Sequence, residues 1–594
     1  MKRTAVRVGI SLVVLFVGLG LLRAESPLTT GAVPPAADAT QLRDALNLAW
    51  VLLCAFIIFF MQAGFALVET GLTRAKNVAH TMTMNVMIYC LGALGFWACG
   101  FALMFGNYGP LAHLGDPTVM NHEITLHLLG RDFGVCGAGG FFLAGHALNA
   151  GVLGLFLFQM MFLDTAATIP TGAMAERWKF LAFVVYGVFV STILYPIYGN
   201  WVWGHGWLAG LGANFGLGHG HVDFAGSSVV HMVGGGTSLV GAYLLGPRIG
   251  KYRPGGHPTP LPAHNVPMYM TGTLFLALGW FGFNAGSTLS ATDPNIARIA
   301  VNTALSSAAG AVTAMCIMWL KYKKPDPSFL CNGILAGLVA ITAGCAYVRP
   351  WAAVLIGAVS GALVVWSSLI IERVLKVDDP VGAISIHGTN GIWGALALGL
   401  FADGTYAPHA NFNGVAGPVT GLLYGDASQL AAQCVGVIAN LLWVLPVAYG
   451  FFWVVNRLVG NRVGVQAELQ GLDVPELGAL GYITHDPKVP EGRLIVHTHA
   501  EPRPARVPPN GEKRFAVLVE GVENDVLAQA WSDLCRMGNY PPPPEFREVY
   551  PYMTTLQGNR FAFRGGNPLT VRASLERLLQ DQFKDRPVRA RLEG

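Results

Sequence analysis

The chain has 594 residues, of which 53% are hydrophobic and only 12% are charged. Soluble domains carry about 25% charged residues, so this chain has too few charges to cover a soluble globule of its size. The net charge of +4 is small and scattered along the chain, which excludes a nucleic-acid partner. The composition therefore predicts a membrane protein whose natural solvent is lipid.

The N-terminus has the features of an export signal. Lys2 and Arg3 precede an apolar run at 8–22, which is shorter than the about 20 residues that span a bilayer. We therefore predict a signal peptide at 1–25 and an exposed leader at 26–44. A retained membrane anchor is the alternative, because large side chains flank the cleavage site.

Long apolar runs follow, within a membrane domain predicted at 45–456. Each is about as long as the 17–25 residues of a spanning helix. Lys and Arg concentrate in alternate connecting segments, which places the N-terminus outside and the C-terminus in the cytoplasm of a multi-pass inner-membrane protein. The eleven predicted spans are 46–68, 80–105, 147–171, 180–201, 224–246, 267–287, 297–320, 331–348, 351–371, 381–402 and 429–455.

One short motif occurs twice in the membrane domain. Asp223 lies eight residues before His231 at the start of the fifth span, and Asp379 lies eight residues before His387 at the start of the tenth. Five helices separate the copies, and an odd number reverses the direction of the second copy. The pattern predicts an inverted five-helix repeat with the substrate path near the midplane.

The two histidines are the first candidates for a functional site. At matching points of an inverted repeat they can meet, and each imidazole can then donate to or accept from the other. The alternatives are two unrelated histidines bonded to backbone carbonyls, or a metal site, for which two histidines without Cys or carboxylate ligands are a weak set. Asp223 can cap a helix or attract a cation, whereas Asp379 is expected to be structural.

Aromatic residues on neighbouring spans supply further candidates. The third span carries two phenylalanines four residues apart, and the end of the sixth is rich in aromatic and small residues. A cation is attracted to aromatic faces, Trp above all, and a serine hydroxyl can accept one of its hydrogen bonds. For any single aromatic, interface anchoring or core packing is the more common explanation. The candidates are Phe158, Phe162, Trp203, Trp280, Phe283 and Ser287.

The composition changes after the last span. Residues 457–510 read as a cytoplasmic tail and a Pro-rich linker, and 511–594 as a small soluble α+β domain. There Phe515–Glu520 alternates like a strand, a helical stripe starts at Leu527, and a strand pair is plausible at 546–564. Asn567 and Pro568 then open a second helix, which completes a βαββαβ-like order.

At these residues the chain resembles the ammonium transporter (Amt/Mep/Rh) family, over about 45–485. The resemblance implies a homotrimer that moves ammonium or ammonia through one pore per subunit, and no catalytic step, cofactor or metal. The long loop with His205, His219 and His221, the outer segment 107–145 and the domain after 510 depart from the family's pattern. The motifs that carry the resemblance are Met61–Glu69, Asp164–Pro170 with Ala175–Arg177, Asp223–His231, Gly279–Ser287, Asp378–Pro380, Ile386–Gly388 and, in the tail, Gly471–Val474 with Gly481-Tyr482.

Position by position, the resemblance also implies roles for the candidate residues. The outer recruitment site would be Phe158, Trp203 and Ser287, with Asp223 as the essential aspartate. Phe162 and Phe283 would form a stacked gate, Trp280 would be the pore tryptophan, and His231 and His387 the twin histidines.

Three rival functions differ in class. An ammonium sensor would bind the ion and signal through the C-terminal domain. An Rh-like gas channel would pass a neutral substrate, against which the cation-recruiting aromatic set argues. A membrane enzyme would use the histidine pair, but the sequence shows no nucleophile or metal constellation beside it. The domain after 510 is either a built-in regulator of the pore or an appendage for trimerisation or docking.

Overall fold

The structure is a computed structural model, and the chain divides into two compact units, Met1–Val489 and Pro490–Gly594. The predicted signal peptide, most of the leader and the linker lie outside the described residues. The structure describes residues 38–108, 111–115, 120, 122–128, 130–407, 415, 417–482, 514–520, 527, 549, 553–557, 559–564, 567–583 and 587–593.

Helices build the first unit. Five of the eleven long helices begin behind a residue whose side chain accepts a backbone N–H of the first turn; for example, Asp38 accepts from Gln41 N at 2.8 Å and Asp426 from Ser428 N at 2.8 Å. In chain order the long helices are α1 (Ala39–Leu72), α2 (Ala75–Phe105), α3 (Ala150–Ala173), α4 (Phe180–Trp203), α5 (Ser227–Leu245), α6 (Val266–Gly286), α7 (Ile296–Tyr322), α8 (Pro327–Thr342), α9 (Pro350–Arg373), α10 (384–401) and α11 (Ala427–Leu458).

Among the described residues, nine of these helices are long and apolar enough to cross a membrane, all but α8 and α10. The prediction of a polytopic helical membrane protein is therefore confirmed, whereas the count of eleven spans stays a prediction. The helix α8 has 16 residues: it begins at Pro327, behind the cap Asp326 and before the predicted start at 331, but it already ends at Thr342, before the predicted end at 348. The segment α10 begins after Gly382, whose φ of +80° interrupts the chain, and its first turn is a π-helix.

A β-hairpin fills part of the long segment between α2 and α3. Strands β1 (Glu123–Leu128) and β2 (Arg131–Gly137) pair antiparallel. The indole of Trp201 at the end of α4 donates to the carbonyl of Val135 at 2.9 Å, which fastens the hairpin to the helix. We call this end of the membrane unit the hairpin side.

The second unit contains one antiparallel sheet. Its strands are β3 (Arg514–Glu520), β4 (Met553–Gln557), β5 (Arg560–Arg564) and β6 (Arg589–Glu593), in the spatial order β4-β5-β3-β6, and the helix α12 (Pro568–Gln582) lies between β5 and β6 in the chain. Both β3 and β4 pair antiparallel with β5, so they run parallel to each other and need a crossover. The predicted helix from Leu527 falls there, outside the described residues except for Leu527 itself, which is buried.

The residues after α11 fold back onto the opposite end of the membrane unit, which we call the tail side. Asp473 accepts the backbone N–H of His80 at 2.8 Å, in the first turn of the helix α2. Glu476 accepts that of Phe180 at 2.9 Å, the first residue of α4. Because a helix start has free N–H donors, the tail (residues 461–482) supplies caps to two membrane helices.

A buried cluster of charges lies beside this tail. Arg248 donates to both carboxylate oxygens of Asp378, at 2.8 and 3.0 Å, and to Glu176 at 2.7 Å. Arg74 approaches Glu176 at 2.5 Å, and Arg177 donates to the carbonyl of Asp378 at 2.6 Å. Burial raises the pKa of both carboxyls, but the guanidiniums of Arg248 and Arg74 reverse this at Glu176, and those of Arg248 and Arg177 reverse it at Asp378. The pKa of each carboxyl is therefore below its ordinary value.

Replacing Arg248 with Met should destabilise the protein by about 3–5 kcal/mol, because it leaves two carboxylates buried without their main partner. The effect is measured as the loss of thermal stability in detergent. Arg43→Met is the matched control, since Arg43 pairs with Asp44 at the surface and such pairs contribute about 0–1 kcal/mol.

The same cluster makes the stability of the folded protein depend on pH. Carboxyls whose pKa is depressed by folding contribute stability above their unfolded-state pKa and lose it as the pH falls through the folded-state pKa. The wild-type protein should therefore lose more stability on acidification than Arg248→Met. Equal loss in both would show that the cluster does not set the acid response.

Candidate functional site

Asp223 organises the start of the helix α5. Its Oδ1 accepts the backbone N–H groups of Gly226 at 2.8 Å and Ser227 at 2.9 Å. Its Oδ2 accepts those of Ser228 at 2.6 Å and Val229 at 3.0 Å, and also the Ser228 hydroxyl at 2.7 Å. A carboxylate has about four lone-pair positions, so five donors leave none for a ligand. The carboxylate is thus a helix cap. Asp223 acts on the site only through the electric field of its negative charge and through its backbone carbonyl.

Asp379 makes the corresponding contacts in the second copy of the motif. Its carboxylate accepts the N–H groups of Val381 at 3.3 Å, Gly382 at 3.0 Å and Ile384 at 2.8 Å. Each aspartate is followed by a π-helical turn, Ser227–Met232 or Ile384–Thr389, and each turn carries the histidine of its copy. Such turns often mark functional sites in helices.

The two histidines meet. Nδ1 of His387 lies 3.1 Å from Nδ1 of His231, and both rings are buried. One Nδ1 must therefore carry a proton and the other must accept it. The helices approach closely here, because a Cβ on Gly235 would lie 2.2 Å from the backbone nitrogen of Gly388. The Nε2 of His231 is buried and has no hydrogen-bond partner among the described residues.

A column of aromatic rings leads from the hairpin side to this pair. Phe158 lies 4.8 Å from Phe162 between ring centroids, and Phe162 stacks on Phe283 at 3.9 Å and 22°. Phe283 lies 5.8 Å from the ring of His231, whose own centroid is 5.1 Å from His387. Rings 3.9 Å apart are in van der Waals contact, so nothing passes between Phe162 and Phe283 unless a ring rotates.

Two tryptophans flank the column. The ring of Trp203 meets Phe162 edge-on at 5.6 Å, and its indole nitrogen donates to the backbone carbonyl of Asp223 at 2.7 Å. Trp280 stacks on His231 at 5.1 Å and donates to the Thr342 hydroxyl at 2.9 Å. Both indole N–H groups are thus satisfied by the protein, and the faces of the rings are what they present to the column.

Ser287 lies at the hairpin end of the column. Its hydroxyl donates to the carbonyl of Phe283 at 2.9 Å, which turns the oxygen lone pairs away from that carbonyl. A Cβ on the preceding Gly286 would lie 2.9 Å from the ring of Phe158. The structure therefore brings together all nine predicted site residues, with the Asp223 carboxylate turned to its own segment.

A cavity of 540 Å³ opens on the tail side. Its wall includes Asp379, Val381 and Ser385, which precede His387 in the same segment, together with Leu72 of α1 and Asn332 of α8.

Sequence reasoning assigned no role to three residues of this site. Phe65, inside the motif Met61–Glu69, lies 6.2 Å from the ring of His387. Thr342 fixes Trp280 and has no signal in the sequence. Ser228 lies inside the motif of Asp223, where its hydroxyl was a recognisable second donor.

Comparison with known proteins matches most of the chain to one family. The profile of the Ammonium Transporter Family matches residues 49–482. The ammonium transporter Amt2 of Archaeoglobus fulgidus is 44% identical over 459 residues, which cover 76% of this chain and 92% of the relative.

Solved structures give the same result. A protein described as "Sensor Amt Protein" superposes with a TM-score of 0.64 at 35% identity and covers 73% of this chain and 99% of its own. Mep2 of Candida albicans superposes with a TM-score of 0.60 at 26% identity and covers 72% of this chain and 89% of its own.

Replacing Asp223 with Asn should lower stability and transport together. The amide turns an NH₂ group toward backbone donors that the carboxylate now satisfies, and an unsatisfied buried donor costs about 1–3 kcal/mol. Asp223→Ala, which leaves all five donors unpaired, should be worse. Melting temperature and methylammonium uptake measure the two effects.

Asp379→Asn is the matched control, because Asp379 accepts only three backbone donors at longer distances. It should be milder than Asp223→Asn. Wild-type stability and uptake in both Asp223 variants would contradict the capping role.

Proposed function

Since the chain belongs to the ammonium transporter family, we propose that it transports ammonium across a membrane through the aromatic column and the histidine pair. The buried column that ends on two hydrogen-bonded imidazoles is the observation that carries the proposal. Relatives covering most of the chain are named as transporters, which points away from an enzyme. The protein is a multi-pass membrane protein, and the finer steps below are proposals.

Recruitment takes place at the hairpin end. Ammonium is attracted to the ring faces of Trp203 and Phe158, because aromatic faces carry negative potential. The Ser287 hydroxyl, whose proton is committed to Phe283, can accept an N–H bond from the ion. The Asp223 carboxylate adds the field of a nearby negative charge without contacting the ion.

The stacked rings of Phe162 and Phe283 then act as a gate. Their contact at 3.9 Å closes the column, and rotation of one ring opens it for a molecule of the size of ammonia. Such a gate excludes hydrated ions, because a hydration shell does not fit between rings that move only by side-chain rotation.

Beyond the gate the lining favours a neutral molecule. A bare charge in an apolar environment is costly, and the stacked rings of Phe162 and Phe283 that lead to the histidines are hydrocarbon. Ammonium therefore loses a proton on the hairpin side, and the ammonia and the proton both pass along the histidine pair, whose ring nitrogens can accept and donate hydrogen bonds and protons. The cavity on the tail side receives both.

We further propose how this transporter is oriented in the membrane and how its subunits assemble. The basic segments place the tail side in the cytoplasm and the hairpin side outside, as the positive-inside rule requires. The N-terminal signal agrees with that orientation in an inner membrane. The assembly is a homotrimer with one pore per subunit, a proposal that rests on the family resemblance.

Ammonium sensing is the second candidate function. It is favoured by the similarity to the protein described as "Sensor Amt Protein" and by the presence of a second unit after 490. A sensor binds ammonium and signals without net flux, so ammonium flux in liposomes distinguishes the two functions. The transport function is preferred because relatives that cover most of the chain are named as ammonium transporters.

The C-terminal unit is proposed as a built-in regulator. Its antiparallel sheet with the order β4-β5-β3-β6 agrees with the βαββαβ-like module expected from the sequence, which resembles small soluble regulators in shape. A tethered module has an effective concentration that reaches about the mM range for short linkers, so a weak contact with the pore would be occupied. An appendage for trimerisation or docking is the competing role.

An ammonium concentration jump on a solid-supported membrane should give a current with the wild-type protein. His231→Ala and His387→Ala should each lower it about tenfold or admit potassium. Leaving one imidazole of a buried pair without its partner costs about 1–3 kcal/mol, and 1.4 kcal/mol is a factor of about ten.

His257→Ala is the control, since His257 lies exposed in the loop between α5 and α6. Unchanged current and selectivity in both pore variants would contradict the proposed path. Absence of current and of methylammonium uptake in the wild type would leave the sensor function.

Truncation after Pro490 should alter transport, or abolish its response to a cytoplasmic metabolite, while the membrane unit stays folded. The reason is that it removes the tethered module and retains the tail that caps α2 and α4. Current and size-exclusion elution of both forms measure this. Identical transport under every metabolite tested would favour the appendage.

A further inference from the structure

The long loop between α4 and α5 contains a buried histidine that the proposed transport does not use. His221 is fully buried, and its Nε2 lies 2.8 Å from the hydroxyl oxygen of Ser228. That hydroxyl in turn contacts Asp223 Oδ2 at 2.7 Å. Three side chains, His221, Ser228 and Asp223, therefore form a continuous hydrogen-bonded chain beside the hairpin end of the column.

The direction of this chain follows from the donors that surround Asp223. Four backbone N–H groups already point at its carboxylate, so an additional proton on that carboxyl would be crowded out. Ser228 must then donate its only hydroxyl proton to Asp223. The serine oxygen accepts from His221, which therefore carries its proton on Nε2.

The other ring nitrogen of His221, Nδ1, has no group to which it could pass a proton among the described residues. Nδ1 is buried and has no hydrogen-bond partner among the described residues. It faces Gly436 of α11, where an added Cβ would lie only 2.1 Å from Nδ1. A second proton there would point at an aliphatic carbon. Burial accordingly lowers the pKa of His221 to about 4, and the nearby Asp223 offsets only part of this.

This geometry excludes a proton relay through His221 and indicates a fixed donor instead. The backbone holds the ring in place: the N–H of His221 donates to the carbonyl of Leu208 at 2.9 Å. Gln433 of α11 bonds both backbone groups of the next residue, Val222, at 2.8 Å each. Tyr198 is the titratable neighbour on α4, and its hydroxyl donates to the carbonyl of Gly436 at 3.3 Å.

We propose that His221 is a positioning residue of the cation-recruitment site, which fixes the Ser228 hydroxyl as a donor to Asp223 and so holds that carboxylate in place. The consequence reaches the substrate through Trp203, because its indole donates to the Asp223 carbonyl. A neutral histidine supplies this donor without adding a positive charge that would repel ammonium. The inference rests on the proposed transport function.

The test compares four variants of the full chain in proteoliposomes by ammonium-induced current. His221→Leu should raise the half-saturating ammonium concentration about tenfold, with a smaller effect on maximal current. His221→Gln, whose amide can donate to Ser228, should restore most of the affinity. In the Ser228→Ala background, adding His221→Leu should change little, because the histidine acts only through the serine.

His219→Leu is the matched control, two residues away in the same loop, and should behave as the wild type. If His221→Leu does not fold, His221→Asn replaces it, since its amide is one methylene too short to reach Ser228. Wild-type half-saturation in His221→Leu, failure of Gln to rescue, or additive effects of the two substitutions would each overturn the role of His221. Absence of wild-type current would contradict the transport function and this inference with it.

Discussion

The site depends on two carboxylates, the buried Asp223 and the half-buried Asp379, that accept backbone N–H groups at the starts of α5 and α10. A helix start has free donors, and inside a membrane protein no water is at hand to satisfy them. Asp223 and Asp379 meet this demand from within the chain. Because each cap stands a fixed distance before a π-helical turn, each also sets the position of a histidine. The contact between His231 and His387 follows from both caps together.

The bonding of polar groups within the protein also explains the chemistry of the column. Its ring faces attract a cation at the hairpin end, but its indole N–H groups are already bonded to protein, and its rings offer no strong acceptor. The ring nitrogens next to the column belong to the histidines, where one contact uses both Nδ1 atoms and leaves Nε2 of His231 without a partner in the part of the chain that the structure describes. Such a lining stabilises a small neutral molecule with an N–H donor and a lone pair better than it stabilises an ion.

The sequence predicted the helical membrane class, because apolar runs and few charges suffice for it. It also predicted which side chains cluster at the site, since the spacing of Asp and His recurs and the aromatic residues lie within specific motifs. Their roles stay predictions. The sequence did not reveal that Thr342 holds Trp280 or that Phe65 touches His387, because both contacts join helices distant in the chain. The short length of α8 likewise depends on where the helix ends, at Thr342, which the apolar run up to 348 does not reveal.

The tail shows how local rules act between distant segments. Glu476 and Asp473 lie more than 290 residues from the helix starts that they cap, yet they do what an N-cap residue does in its own helix. Detaching the tail would expose the first donors of α2 and α4 and would remove the Glu468 carboxylate from the backbone N–H of Ile249, which it accepts at 2.7 Å. The helix α4 runs from Phe180, whose N–H Glu476 accepts, to Trp203, beside the stacked rings. The tail is therefore part of the frame that holds the proposed recruitment site.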